Sequence, residues 1–515
     1  DPKKKGSYYL VNSRSDRFDG NLTLAYNKTI DKHMLNVGVG SNIMQSETEG
    51  ESFTGVGFIN PDMIFIGAAN AFQENTSPQG TYDKSRLVGF FTNVNYGYGN
   101  RYFLDFSFRS DGSSKFGRNS RFAPFWSLGV AWNVHNESFW HAHEKNALKL
   151  RASVGSTGTT NFSSTQALTT YLYDFSREYN GNFGVSLAGY GNSSLKWQTT
   201  LSYNVGVDFT FLHGLVVFNG DFYIKNTRSL LLPVTVAPST GFIDYVENIG
   251  KLRNTGVEAR LRFNLIQDAV KDLRWNVTLS AFHNRSKITQ LSNQLETINQ
   301  YANDDRANQG TVVYRQVEAG RSQTALMVVR SGGIDPATGN EIYIKRNGEM
   351  TFEYNHNDKI ECGDMKPKIE GNVNTNLNWK GFNLYMLFKY QYGGKIYNAT
   401  LASKVEGVNP LKNADKRVLY DRWKEPGDHA KFRRIDDTSA PYQTTRLVFD
   451  NNLLALQSVS LSYELPRKIS QKMYMERVKL LLSSTDLFRL SSVKQERGTS
   501  YPFARTFSIG LNVTF

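Results

Sequence analysis

Leu201-Ser202-Tyr203-Asn204-Val205-Gly206-Val207-Asp208-Phe209-Thr210-Phe211 alternates without a break between apolar and polar residues. In an extended chain successive side chains point to opposite faces, so the odd positions make a greasy side and the even positions a wet one. After a His213-Gly214 turn, Val216, Phe218, Phe222 and Ile224 oppose Asn219, Asp221, Tyr223 and Lys225. The two runs predict a hairpin. The pattern recurs in Val257, Ala259, Leu261, Phe263 and Leu265 against Glu258, Arg260, Arg262 and Asn264. Trp275, Val277, Leu279 and Ala281 then oppose Asn276, Thr278 and Ser280, and Val373, Thr375, Leu377 and Trp379 oppose four asparagines before Lys380-Gly381 turns into Phe382, Leu384, Met386, Phe388, Tyr390 and Tyr392.

A single alternating strand suits a soluble sandwich as well as a membrane barrel. Number, length and connections decide between them. About sixteen such runs can be counted, many of the ~9–11 residues that a tilted membrane strand needs. They lie near 6–15, 17–28, 33–44, 86–98, 101–109, 125–134, 148–156, 198–211, 215–225, 255–265, 273–284, 368–379, 382–392, 453–465, 478–487 and 507–515. Mostly short links interleave with segments at 45–85, 110–124, 157–197, 226–254, 285–367, 393–452 and 488–506, many of them very long, and only the tight link near Ser15-Asp16 breaks the rule. Short turns on one rim and long loops on the other are the pattern of an outer-membrane barrel. The barrel satisfies every backbone N–H and C=O in lipid and leaves the wet face to the lumen. The reading is therefore one all-β chain, 1–515, forming a transmembrane antiparallel β-barrel with long extracellular loops at about 45–85, 157–197, 226–254, 285–367 and 393–452.

Composition agrees. Gly 42, Tyr 27 and Phe 33 against Pro 13 describe a β-rich, aromatic-rich chain. No stretch approaches the ~20 apolar residues of a membrane-spanning helix. Tyr26, Tyr96, Tyr98, Trp126, Trp132, Trp197, Trp379, Tyr390 and Tyr392 suit interfacial girdles. The net charge of +13 is spread along the chain, which fits a solvated surface, outer-membrane lipid and lipopolysaccharide, or an acidic partner better than nucleic acid. Asp1-Pro2-Lys3-Lys4-Lys5-Gly6 lacks an initiator Met and the apolar core of a signal peptide, as expected of a mature or truncated product. The carboxy-terminal run Phe507, Ile509, Leu511, Val513 and Phe515 has the form of a barrel assembly signal.

Enzymatic chemistry finds no foothold. GxSxG and HExxH motifs are absent from the sequence, and Cys362 is the single cysteine. Asp111-Gly112-Ser113-Ser114 reads as a turn; Asp358, Glu361 and Asp364, with Asn355 and Asn357, depart from the calcium-loop spacing. His141 and His143 beside Glu144 read as solvent-facing polar residues of a turn. No catalytic, metal or cofactor residue is nominated. Ligand or partner contacts are expected from aromatic and polar loop residues: Tyr171, Tyr173, Tyr179, Phe183 and Tyr190, then Tyr301 and Asp305.

Six runs carry a resemblance. They are Arg109-Ser110-Asp111-Gly112-Ser113-Ser114-Lys115-Phe116-Gly117, Leu148 to Gly158, Ser194-Leu195-Lys196-Trp197-Gln198-Thr199-Thr200, Asn248-Ile249-Gly250 with Asn254 to Glu258, Tyr392 to Asn398, and Arg422-Trp423-Lys424-Glu425-Pro426-Gly427-Asp428. In order and spacing they resemble the SusC/RagA family of TonB-dependent transporters from Bacteroidetes. The resemblance implies the bacterial outer membrane, a barrel of about 22 strands, a plug domain and a TonB-box segment ahead of Asp1, a SusD-like surface lipoprotein as lid, and import of a glycan or oligopeptide. The plug is not found in this chain, so TonB would act through a region that the sequence lacks. A passive porin and a structural barrel docking a surface assembly are the rival readings.

Overall fold

The computed structural model describes residues 6–58, 60, 62–63, 65–73, 78–117, 120–141, 145–159, 167–235, 244–248, 250–290, 318–437, 439, 441–493 and 505–515. Among them, fifteen long strands follow one another in antiparallel order, each hydrogen-bonded to its neighbours. The first eight are β1 (Ser7–Ile30), β2 (His33–Val56), β3 (Gln79–Tyr98), β4 (Tyr102–Ser113), β5 (Phe122–Asn133), β6 (Ala147–Thr159), β7 (Gln198–Phe211) and β8 (Val216–Arg228). Then come β9 (Lys251–Asp268), β10 (Leu273–Gln290), β11 (Ile369–Trp379), β12 (Phe382–Tyr397), β13 (Val448–Glu464), β14 (Arg477–Ser491) and β15 (Thr506–Thr514). The two-residue strand Ala71–Phe72 adds to β2.

One expectation needs correcting. No turn interrupts the first two predicted strands: Ser15 still faces Thr48 and Asp16 faces Glu47 within the single 24-residue β1. Crossing a bilayer takes only ~9–11 residues, so much of β1 and β2 runs beyond it, where water wets both faces and selects no alternation. Charged residues there imitate a turn. The same extension makes 45–56 and 79–85 strand rather than loop. With β1 unbroken, the tight link near Ser15-Asp16 disappears; among the remaining connections 114–121 is still shorter than 134–146 and 465–476 on the opposite rim.

The short turns carry the backbone that tight hairpins need. Lys380 and Gly381 have φ of 46° and 87°, the left-handed pair of a type I′ turn whose twist matches the strands it joins. A Cβ on Gly381 would also sit 2.6 Å from the Glu464 carbonyl oxygen.

Compact packing divides the chain into residues 1–130, 154–201 and 227–249 as one unit and 131–153, 202–226 and 250–515 as another. In the first, Leu104, Phe106 and Phe108 of β4 stay exposed on one face, while Arg109 on the other binds Asp111 at 2.5 Å and Asn42 at 2.6 Å. In the second, Val205, Phe222, Val257, Leu265, Trp379, Leu480 and Leu482 are exposed. On its polar face Arg151 holds Asp208 at 2.8 Å and Asp221 at 3.2 Å. So many large exposed apolar side chains on the faces of a continuous sheet belong in lipid. No helix among the described residues is long and apolar enough to cross a membrane, so crossing falls to the strands.

This assignment of faces is testable by refolding into vesicles and unfolding in urea. Leu261→Arg, on the apolar face of β9, is expected to cost about 2–4 kcal/mol. Its neighbour Arg262→Leu, on the polar face, should cost far less; equal costs would reverse the assignment.

Candidate functional site

Most of the quoted runs turn out to anchor loops. In the first unit Phe116 stacks on Trp197 with centroids 4.4 Å apart, and Phe125 meets the same indole edge-on at 5.3 Å. Leu195 is fully buried beside them, and Leu231 and Val246 pack against the cluster. Asn248 clamps this group: its side chain accepts from Lys196 N at 2.7 Å and donates to Lys196 O at 2.7 Å and Ser229 O at 3.1 Å. Gly117 lies so close to the Ser193 carbonyl that no side chain fits. Trp197, expected in an interfacial girdle, is therefore a buried anchor at the base of a loop. Periodicity could not reveal this, because its partners lie far away in sequence.

From this base rises a hairpin of Thr170–Tyr179 and Asn182–Gly189, turning at Asn180 and Gly181 with φ of 50° and 78°. Tyr171 pairs with Leu187, and both are exposed, as are Val185 and Tyr190.

In the second unit the two longest loops build one platform. Ala325–Ile334 pairs with Glu341–Ile344 and Lys359–Asp364, and Met350–Thr351 adds a further edge. Leu326, Tyr397, Ala402 and Leu447 form its apolar core. Beside it lies a buried charge network. Glu406, with no exposed side-chain surface, accepts from Arg433 at 2.8 Å and from Arg446 at 2.8 and 3.1 Å. Arg446 also reaches Glu341 at 2.9 Å, Glu341 accepts from the Thr444 hydroxyl at 2.6 Å, and Arg433 reaches Asp437 at 2.6 Å. Burial by itself would lower the Arg446 guanidinium, but the charges of Glu341 and Glu406 outweigh it and hold it above its ordinary value.

The run Arg422 to Asp428 completes the platform. Arg422 donates to the carbonyls of Val418 (3.2 Å), Arg433 (2.9 Å) and Val405. Trp423 donates to Pro336 O at 2.9 Å and covers Gly339, whose φ of 72° leaves no comfortable place for a Cβ. Tyr354 and Tyr442 stack at 4.1 Å, with Tyr343 edge-on to both.

Within the second unit a polar cavity of about 820 Å³ opens at the short-turn rim among Arg274, Asn378, Lys380, Asn383, Ser462 and Glu464. Asn383 donates to Asn376 at 2.8 Å and Asn378 at 2.6 Å, so the alternating asparagines form a ladder on the wet face. The arrangement can hydrogen-bond a polar solute; it offers no nucleophile–base pair.

The nominated contact residues fall unevenly. Tyr171 and Tyr190 are exposed, 64% and 55%. Tyr173, Tyr179 and Phe183 lie on the same hairpin as Tyr171. Tyr301 and Asp305 lie outside the described residues, as do His143 and Glu144. Phe507, Ile509, Leu511 and Phe515 are exposed, with Phe507 to Val513 in β15 paired to β14. Asp358 and Asp364 hold backbone, accepting from Arg346 N and Lys366 N at 2.9 Å each. Among the described residues no group of three His, Cys, Asp or Glu could hold a metal ion. Glu341, Glu406, Arg433 and Arg446 were missed altogether, since Glu341 and Arg446 are 105 positions apart and nothing local marks them.

The faces, turns and loop platforms define an outer-membrane β-barrel. Residues 3–323 match the family model "TonB dependent receptor-like, beta-barrel", and the chain belongs to that family. It is 26% identical over 96% of its length to TonB-dependent receptor P3 of Formosa agariphila, covering 52% of that protein. It is 27% identical over 62% of its length to TonB-dependent receptor SusC of Bacteroides thetaiotaomicron, covering 32% of that protein. Its fold is that of a chain of the RagAB peptide transporter, with a TM-score of 0.86 at 22% identity over 99% of this chain and 56% of that one. The SusC/RagA resemblance is thus upheld. The chain spans about half the length of the curated relatives it matches most fully.

Two substitutions probe the second platform. Glu406→Ala takes the shared carboxylate from two buried guanidinium groups, leaving Arg446 to Glu341 and Arg433 to Asp437, and is expected to cost about 3 kcal/mol locally, seen as new proteolytic cleavage in 398–447 while the strands stay protected. Lys359 is buried, and burial lowers its ammonium to about 8. Between pH 8 and the ordinary 10.5 the unfolded chain then binds more protons, so stability rises with pH across that window. Lys359→Met should therefore gain most over the parent below pH 8 and lose that pH-dependent advantage above 10.5, as hydrogen exchange of 359–364 would report.

Proposed function

We propose that this chain forms the barrel of a TonB-dependent, SusC-like importer that brings large nutrients, glycans or oligopeptides, through the outer membrane. Membership of the TonB-dependent receptor-like barrel family carries the proposal. The likeness to SusC and the RagAB fold supports a SusD-like surface lipoprotein as partner over the long-loop rim. A wet wall lined by asparagines and paired charges suits passage of a polar solute, and no catalytic step is assigned to it. Energy would come from TonB acting through parts of the whole protein beyond this chain. Tyr171, Tyr173, Tyr179, Phe183, Tyr190, Tyr301 and Asp305 are proposed contacts for ligand or lipoprotein, and Phe507, Ile509, Leu511, Val513 and Phe515 the assembly signal.

The whole protein, purified from its native outer membrane, should bring a lipoprotein with it and support growth on an oligomeric nutrient only when TonB is present. Uptake that persists without TonB would favour a passive channel and sink the proposal. Tyr171→Ala combined with Tyr190→Ala is expected to weaken ligand or lipoprotein retention by about tenfold without changing the amount of folded barrel.

A further inference from the structure

We infer that the outer face of β9 and β10, just above the apolar belt, is a binding site for the phosphorylated headgroup of an outer-leaflet glycolipid. Val277, Leu279 and Ala281 share a face of β10 with His283, Arg285 and Lys287, because the pairing of β9 with β10 has no irregularity between Val277 and Lys287. On β9 the exposed Val257 shares its face with Thr255, Arg253 and Lys251. Register places Val257 opposite His283, Thr255 opposite Arg285, and Arg253 opposite Lys287. The apolar surface therefore ends at Val257, and the next two steps up the wall are cationic.

The cluster faces a real recess. β11 begins only at Ile369, and its pairing with β10 reaches no further than Phe282, so β10 above that point has no β11 partner. Residues 320–321 pair with Ile288 instead, through Gly320 N to Ile288 O at 2.8 Å and Ile288 N to Arg321 O at 2.9 Å. Between these segments lies a cavity of about 370 Å³ with Arg285, Lys287, Lys366 and Lys368 in its wall. Two carboxylates also line it. Glu361 lies 3.8 Å from Arg321, and Asp364 accepts from the Thr324 hydroxyl at 2.5 Å and Lys366 N at 2.9 Å. Among the described residues, Arg285, Lys287, Lys366 and Lys368 form no ion pair. Other cations high on the strands are neutralised in place, Lys84 by Glu47 and Arg14 by Asp16, each at 2.8 Å.

An outward cation cluster at the edge of the apolar belt on the long-loop rim sits at the height of the outer-leaflet headgroups. A glycolipid phosphate can accept from several of these donors while its acyl chains cover Val257 and its neighbours. The inference rests on the membrane orientation and is independent of what the barrel transports.

The test uses the whole protein in mild detergent, with retained phosphorylated glycolipid counted by mass spectrometry and binding measured on vesicles carrying that glycolipid or its dephosphorylated form. Near a membrane surface each neutralised cation is expected to lower retention by about fivefold, so Lys287→Gln should lose about that and Arg253→Gln/Arg285→Gln/Lys287→Gln far more. Lys84→Gln should lose none, and Arg285→Lys should keep most. Full retention by the triple variant, equal binding to dephosphorylated vesicles, or binding of inorganic phosphate without glycolipid would each overturn the inference. Heat-modifiable gel mobility shows that each variant is folded, and the single variants decide the matter if the triple one is not.

Discussion

Everything in this chain depends on hydrogen-bonding the backbone where no water is available. In lipid an unpaired N–H or C=O costs several kcal/mol, and the fifteen long strands among the described residues answer by pairing with their neighbours in chain order. That ladder fixes the alternation of faces. One face can be as apolar as Leu261 and Val277, and the other as charged as Arg151 with its two aspartates. Where two strands are joined by only two residues, as at Lys380-Gly381, the turn takes a left-handed backbone.

Beyond the bilayer the constraint relaxes and other forces take over. The loops cannot rely on a wall for order, so each platform carries its own small core: Phe116 and Trp197 in one unit, Leu326 and Leu447 in the other. The second adds two arginines, Arg433 and Arg446, balanced by Glu341, Glu406 and Asp437. Buried ion pairs often add little net stability over an apolar core, but leaving one partner unpaired is costly. Such a network therefore favours one arrangement of loops distant in sequence. Anchored bases hold features such as Tyr171, Leu187 and Tyr190 exposed on the first unit's hairpin and its flank.

This division of labour explains which parts of the molecule were legible. Alternation in 201–211 and 368–392 predicted real strands because one face of each is pressed against lipid. Ser15-Asp16 misled because water on both sides erases the pattern. Trp197 misled because an aromatic residue at a strand end reads alike whether it meets headgroups or a buried phenyl ring. The charge network left no local trace, since its members come from segments up to 105 residues apart.

The sequence by itself determined the strands, their faces, the alternation of short and long connections and the family, all of which follow from a period of two residues and from local runs. Tertiary structure alone decided how far β1 and β2 extend, which family residues anchor which loops, where Glu406 meets Arg433 and Arg446, and how the cations of β9 and β10 line up. The reason is physical: lipid contact imposes a repeating local rule that each strand must obey, whereas loop packing depends on contacts whose partners are set only when the chain has folded.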